Sequence, residues 1–313
     1  MTNFPDSFNY GRLKTRQLVL LAHLDERRSI FHAAKLSHMT QSAASKLLCE
    51  LEETLGVELF VRHSRGVEPT WYGEILIRHA HSMLAELKHA FEEVTALKSG
   101  LSGQTAIGTV ITSATNLVPH AVAELKKRFP QVLVNIEMDF SETLIRHLQE
   151  GKLDMVIARI HNPRDLAELH FEPLGEAPHA MVARTGHPLA RKRKLSWNDL
   201  AAHTWIVPPQ GNVMRDQLML LFLEHGLQMP RQLVETASPH IIISLLEISD
   251  MIAPLPKEVV QPYCTSGILK QLAFHLDIHL GPAGIITRRE HKLSPSASAM
   301  LSILREEAGR RAE

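Results

Sequence analysis

Hydrophobic spacing divides the chain into three stretches. In the first, Leu18, Leu21 and Leu24 recur every three residues and predict a helix with one apolar face. Ser29 is suited to cap a second helix, with Ala33, Ala34 and Leu36 as its packing face. Ser37-His38-Met39 reads as a tight turn. Thr40 then caps a third helix whose buried stripe is Ala44, Leu48, Leu51 and Leu55, and Gly56 stops it. Val57 to Val61 and Val67 to Thr70 predict a hairpin around Arg62-His63-Ser64-Arg65-Gly66.

The second stretch, Trp71 to Leu101, contains no proline. Its apolar positions Leu76, Ala80, Met83, Leu87, Ala90, Val94, Leu97 and Leu101 alternate spacings of four and three, the seam of a coiled coil. Such a helix is about 45 Å long and cannot bury its seam on so small an N-terminal module. A partner helix, and hence a dimer, is expected. Packing on the chain's own C-terminal half is the alternative. Ser99-Gly100-Leu101-Ser102-Gly103 has the composition of a hinge.

From Thr105 onward short apolar runs alternate with amphipathic ones. Strands are predicted at Ala106 to Ile111, Val132 to Met138, Leu153 to Ala158, Ala180 to Arg184, Trp205 to Val207, Leu233 to Thr236 and Gly284 to Thr287. Helices are predicted at Asn116 to Arg128, Ser141 to Gln149, Met214 to His225, Pro239 to Ile248 and Ser296 to Glu307. This is an α/β domain with a largely parallel sheet. The fold class is therefore multi-domain: an α-helical winged helix-turn-helix at 12–70, a linker helix at 71–101 and an α/β domain at 105–313.

Charge changes this picture by its placement, since the formal net charge of the 313 residues is zero. In the third helix, Gln41, Ser42, Ser45 and Lys46 lie opposite the buried stripe near the N-terminus, and Glu50, Glu52 and Glu53 lie at the far end. Glutamine pairs an adenine edge with two hydrogen bonds, and hydroxyls at a helix N-terminus suit phosphate. Arg62 and Arg65 suit the DNA backbone or minor groove. The DNA-binding set is thus Thr40, Gln41, Ser42, Ser45, Lys46, Arg62 and Arg65.

In the C-terminal half the chemistry sits at strand ends, where open α/β sheets bind small molecules against helix N-termini. Thr112, Ser113 and Thr115, then Ser141, then Gln210 and Asn212, then Thr236 and Ser238 form the candidate ligand set, with Arg159 just past a buried strand. Each hydroxyl or amide also suits plain N-capping. Arg159 suits a ligand carboxylate or a neighbouring acid.

Composition excludes other classes. Cys49 and Cys264, the two cysteines, have no metal spacing and fit a reducing compartment. No apolar run approaches the ~20 residues that span a bilayer, and Met1 to Tyr10 is too polar for a signal peptide, so a cytoplasmic protein without a membrane partner is expected. No GxSxG, HExxH, P-loop or GxGxxG occurs, and no catalytic residue or cofactor is predicted. His275-Leu276-Asp277-Ile278-His279 reads as half-buried patterning rather than a metal site.

The N-terminal segment resembles the DNA-binding domain of LysR-type transcriptional regulators. The resemblance rests on Arg16-Gln17-Leu18, Ser29, Ala33-Ala34, Leu36, Thr40-Gln41, Ser45, Leu51-Glu52, Leu55-Gly56, Leu59-Phe60, Arg62 and Thr70 with Gly73. The stretch MTQSAASKLL with EPTWYGE is similar to the galactose-binding-protein-regulator branch. The family commonly carries glycine where Arg28 stands and proline where Ser42 stands, so either Arg28 holds a strained turn conformation or the turn differs slightly from the family's. GKLDMVIA (Gly151 to Ala158), HPLA (His187 to Ala190) and Trp205-Ile206-Val207 carry the resemblance into the effector half. It implies a periplasmic-binding-protein-like pair of lobes, 105–162 with 273–313 and 163–272. It further implies promoter DNA, a cleft effector (a sugar, sugar acid or aromatic acid), RNA polymerase, and a homodimer or homotetramer. The alternative class is a solute-binding protein for a small sugar or organic acid without regulatory DNA binding.

Overall fold

The computed structural model describes residues 13–63, 66–99, 103–289 and 291–312. Arg12, Arg65, the hinge residues Gly100 to Ser102 and, with them, seam position Leu101 lie outside the described residues. So does the side chain of Leu97.

Three helices open the described residues: α1 (Thr15–Arg27), α2 (Ile30–Leu36) and α3 (Gln41–Leu55). Leu20, Leu21 and Leu24 of α1, Ala33 and Ala34 of α2 and Ala44, Leu48 and Leu51 of α3 share one core. Each buried leucine contributes about 1.5–3 kcal/mol relative to exposure. The two alanines let α3 cross close to α2. Leu36, expected on that packing face, is exposed instead, because α2 ends there and the chain turns away. Strands β1 (Phe60–His63) and β2 (Gly66–Pro69) pair antiparallel, with His63 opposite Gly66. The hairpin is thus tighter than expected: Arg62, His63 and Gly66 belong to the strands, not the tip.

Helix α4 (Trp71–Ser99) follows directly. Its first half closes the N-terminal core through Ile77 and Ala80, with Leu76 and Leu84 packed at the edge. Two of the expected seam positions, Leu76 and Ala80, therefore serve the chain's own core. Further along, Met83, Leu87 and Val94 are 45%, 45% and 54% exposed.

The C-terminal half forms two lobes. In the first, β3 (Gly103–Thr109), β4 (Val132–Met138), β5 (Met155–Ala158), β6 (Leu169–Gly175) and β12 (Ala283–Arg288) make one sheet in the order β4-β3-β5-β12-β6. β4, β3 and β5 are parallel, but β12 runs antiparallel to both its neighbours. Helices α6 (Leu117–Arg128) and α12 (Pro295–Ala312) cover one face and α7 (Ser141–Gln149) the other. Ile111, expected to end the first strand, instead starts a single helical turn, α5 (Ile111–Ala114).

In the second lobe, β7 (His179–Arg184) is flanked antiparallel by β10 (Ala253–Pro256) and β11 (Leu269–Gln271). β8 (Trp205–Val207) pairs parallel with β9 (Leu233–Glu235) and meets the β10 side through a bridge from Trp205 to Ile252. The helices of this lobe are α8 (Trp197–Ala201), α9 (Val213–Glu224), α10 (Pro239–Ile248) and α11 (Lys257–Thr265). Trp205 and Phe222 are fully buried at its centre, 5.1 Å apart edge to face.

The lobe boundaries differ from expectation. β6 pairs with β12 along its length, so the first lobe continues to Gly175 rather than ending at 162. Leu272, Leu276 and Ile278 pack with Met181, Trp205 and Phe222, so the second lobe passes beyond 272. The segment from His275 to His279 is not a strand, yet it alternates as expected: Leu276 and Ile278 are buried and the two histidines and Asp277 exposed.

Candidate nucleic-acid interface and ligand cleft

The head is built to present one end of α3. Thr40 accepts a hydrogen bond from the Ala43 amide at 3.2 Å and contacts the Ser42 hydroxyl at 3.1 Å. That cap fixes the start of α3 and leaves the positive end of its dipole uncovered. Gln41, Ser42 and Lys46 are exposed there, and Ser45 is half-buried. Arg62 does not project from the hairpin. Its Nη2 donates to Ser45 Oγ at 3.3 Å and lies 3.8 Å from Cys49 Sγ, so the guanidinium lies across α3. Glu52 has a structural role: its Oε1 accepts from the Leu59 and Phe60 amides at 2.8 and 3.3 Å and seats the hairpin against α3.

Arg28 adopts the left-handed conformation, with φ 49° and ψ 27°, the strained of the two outcomes expected at this turn. Its carbonyl accepts from the Val67 amide at 2.9 Å. The chains run so close here that a Cβ on Gly66 would sit 2.2 Å from that oxygen. The Arg28 side chain donates to Asp25 Oδ1 at 2.8 Å, and Asp25 Oδ2 meets His81 Nε2 of α4 at 3.1 Å. The His81 hydrogen bond, ahead of the charges of Arg28 and Lys152, holds Asp25 below the usual carboxylate range against the opposing effect of burial. Head, hairpin and α4 are thereby tied into one unit.

Between the lobes lies a cleft of about 470 Å³. Of the expected ligand set, Thr112, Ser141, Arg159, Asn212, Thr236 and Ser238 line it. Ser113, Thr115 and Gln210 do not. Ser113 is half-buried, Thr115 turns back to the Thr112 carbonyl at 3.1 Å, and Gln210 is exposed in the turn before α9. Asn212 caps α9 through the Met214 amide at 3.0 Å, and Thr236 Oγ1 accepts from the Ser238 amide at 3.2 Å. Ser238 opens α10 without a side-chain cap.

Arg159 is 8% exposed. Its amide donates to Ser141 Oγ at 3.1 Å, and its Nε donates to the Gly281 carbonyl at 3.0 Å where the chain crosses back between lobes. Burial pulls the guanidinium below its ordinary value, opposed by the charge of Glu176, and it remains a cation. Three lining histidines, His161, His179 and His240, escaped sequence reasoning. Burial, and then the charge of Arg159, lowers His179 to about 4 against the opposing pull of the Ala177 backbone. It is neutral at physiological pH. Burial also lowers His161, which sits 3.8 Å from Glu142. His179 directly follows the first crossover between lobes. Locating that crossover needed β6, whose pattern of half-buried residues carries no clean alternation.

Comparison with known proteins supports both halves. Residues 15–74 match the bacterial regulatory helix-turn-helix protein domain of the lysR family, and residues 98–309 match the LysR substrate binding domain. The chain is similar to the HTH-type transcriptional regulator GbpR of Azospirillum brasilense, 37% identical over 299 residues, 95% of this chain and 87% of that one. In fold it is similar to ArgP from Mycobacterium tuberculosis, with a TM-score of 0.68 at 20% identity over 95% of this chain and 97% of that one. It is also similar to full-length CbnR solved with its target DNA, with a TM-score of 0.61 at 19% identity over 94% of this chain and 100% of that one. The chain therefore belongs to the LysR family: it is a DNA-binding transcriptional regulator with a C-terminal effector-binding domain.

Proposed function

We propose that Gln41, Ser42, Ser45 and Lys46 enter the major groove from the N-terminus of α3, with Thr40 at the adjoining phosphate and Arg62 and Arg65 along the backbone. The observation that carries this reading is the uncovered, polar start of α3 with Arg62 folded against it at Ser45. Hydrogen bonds to base edges specify sequence, and the surrounding cations position the head. Two chains pair along the exposed Met83, Leu87, Ala90 and Val94 of α4, setting two heads on a two-fold promoter site. The protein works in the cytoplasm by binding, without catalysis, and its bound arrangement is presented to RNA polymerase.

The cleft takes the effector, through Thr112, Ser141, Arg159, Asn212, Thr236 and Ser238 with His161 and His179. Helix α7 carries the signal. Its first residue, Ser141, lines the cleft, and the carbonyl of its last, Gln149, accepts from Ser82 of α4 at 3.2 Å. Beside that contact Nδ1 of His291 meets the Glu86 carboxylate of α4. A ligand that binds one lobe arrangement better than another shifts α7, and with it α4 and the head; only differential affinity can do this.

The test is footprinting on promoter DNA. Gln41→Ala is expected to lose about 1–3 kcal/mol on the cognate site and to relax base selectivity. A footprint unchanged from wild type in strength and sequence preference would remove Gln41 from the reading face.

A further inference from the structure

We infer that the effector is a small organic carboxylate with an apolar body, anchored on Arg159. This rests on the cleft being the effector site and names what that site selects. Among the described residues, two buried polar groups of the lining lack partners: the hydroxyl of Thr112 and Nδ1 of His179 make no hydrogen bond. Ser141 Oγ accepts from the Arg159 amide and keeps its own proton to donate. Arg159 itself spends Nε on Gly281, and the one acid that acts on it, Glu176, does so through charge alone. The two acids that line the cleft form no ion pair with the Arg159 guanidinium: Asp139 accepts from the Phe140 amide at 2.6 Å, and Glu142 lies 3.8 Å from His161.

A buried cation without a carboxylate partner is costly, and removing that cost is what a bound anion does. The Nη groups of Arg159 with the Thr112 and Ser141 hydroxyls form a set of donors, which matches the acceptor-only chemistry of an ionised carboxylate. A neutral polyol fits less well. It brings donors and acceptors all round, whereas most of the surface here is apolar, from Ile111, Phe140, Val207, Ile242 and Leu255. The apolar side of the ligand packs on those residues, and His179 Nδ1 reads one polar substituent. Because His179 is neutral, it adds no second positive charge, so one carboxylate is matched and two are not.

The experiment uses the full-length chain and matched ligand pairs. Benzoate, 4-hydroxybenzoate, cyclohexanecarboxylate and octanoate are each compared with the corresponding amide by thermal shift and calorimetry; galactonate and galactose form the polyol arm. At least one apolar carboxylate is expected to bind at least tenfold tighter than its amide. Arg159→Gln is expected to weaken that acid by ~10- to 150-fold, the range of a charge-assisted hydrogen bond, with little effect on the amide. Arg159→Lys is expected to retain part of the affinity, keeping the charge and losing the fork. Melting midpoints of both variants without ligand, matched to wild type, report that the effector half is folded. Equal binding of acid and amide, tighter binding of galactose than of any acid, undiminished binding by Arg159→Gln, or no binding by any acid in the panel each overturns the inference. Failure of the underlying reading looks different: a ligand binds in the cleft and the promoter footprint does not change.

Discussion

Gly151 is one of the points where the effector domain rests on α4, and replacing it separates two effects that can be added up. Its φ is +73°, and a Cβ there would lie 2.6 Å from the Ala85 Cβ on α4 and 2.6 Å from Arg288 Nη1. A non-glycine residue in the left-handed region costs about 1–2 kcal/mol. Carbon atoms pack at about 3.5–4.0 Å, so the Ala85 contact is short by about 1 Å. Overpacking of that kind costs about 1–3 kcal/mol. Gly151→Ala is therefore expected to destabilise the seated arrangement by about 2–5 kcal/mol in total. The turn lifts from α4, and the bond from Ser82 to Gln149 is lost with it. Adding Ala85→Gly removes the Cβ overlap but leaves the backbone strain, so the double variant should recover about 1–3 kcal/mol. Native-state hydrogen exchange at the amides of α4 and of residues 149–152 reads the seating directly. Footprinting with and without ligand reads its consequence: Gly151→Ala should bind ligand and DNA while losing the influence of one on the other. If Gly151→Ala and the double variant open to the same extent, overlap with Ala85 is not what seats the lobe. If ligand still alters the footprint of Gly151→Ala as in wild type, α7 is not the route.

Two further outcomes follow from the same geometry. Folding lowers His179 from 6.5 to about 4, so between these values the unfolded chain holds a proton that the folded chain does not. Its contribution is full above pH 6.5 and is lost as pH falls to about 4, amounting to about 3 kcal/mol across that window. Denaturant titration at pH 7.5 and pH 5 should show wild type losing about 2 kcal/mol relative to His179→Asn; a difference that is constant with pH would contradict the assignment. Leu87→Glu puts a charge on the exposed seam of α4 beyond the head's own core. Sedimentation should show dissociation of the dimer at concentrations where wild type is paired, with far-UV helicity unchanged; an undisturbed dimer would move the interface off this face.

Much of the head was legible in the sequence because its information is local. The Thr40 cap, the stripe through Ala44, Leu48 and Leu51, and the Gly56 stop all act within one helix, and α3 starts and ends where they say. The same holds for β4, α7, β8 and α10, each bounded by its own periodicity and its own turn residues. At Arg28 the sequence left strain or a different turn open, and the fold holds the strained one.

What the tertiary structure decided depends on segments that meet from far apart. β12 inserts antiparallel between β5 and β6, bringing Gly284 opposite Ala158, and nothing in either run encodes that pairing. With it came the true lobe boundaries, the crossovers at His179 and Gly281, and so the cleft lining that strand ends alone predicted only in part. Arg62 looked like a hairpin tip and lies on Ser45; Leu76 and Ala80 looked like a dimer seam and close the head. Periodicity states that a face is apolar or a terminus polar. Which surface meets it is settled by the packing of the whole chain, because burial rewards any apolar partner alike and only the fold selects one.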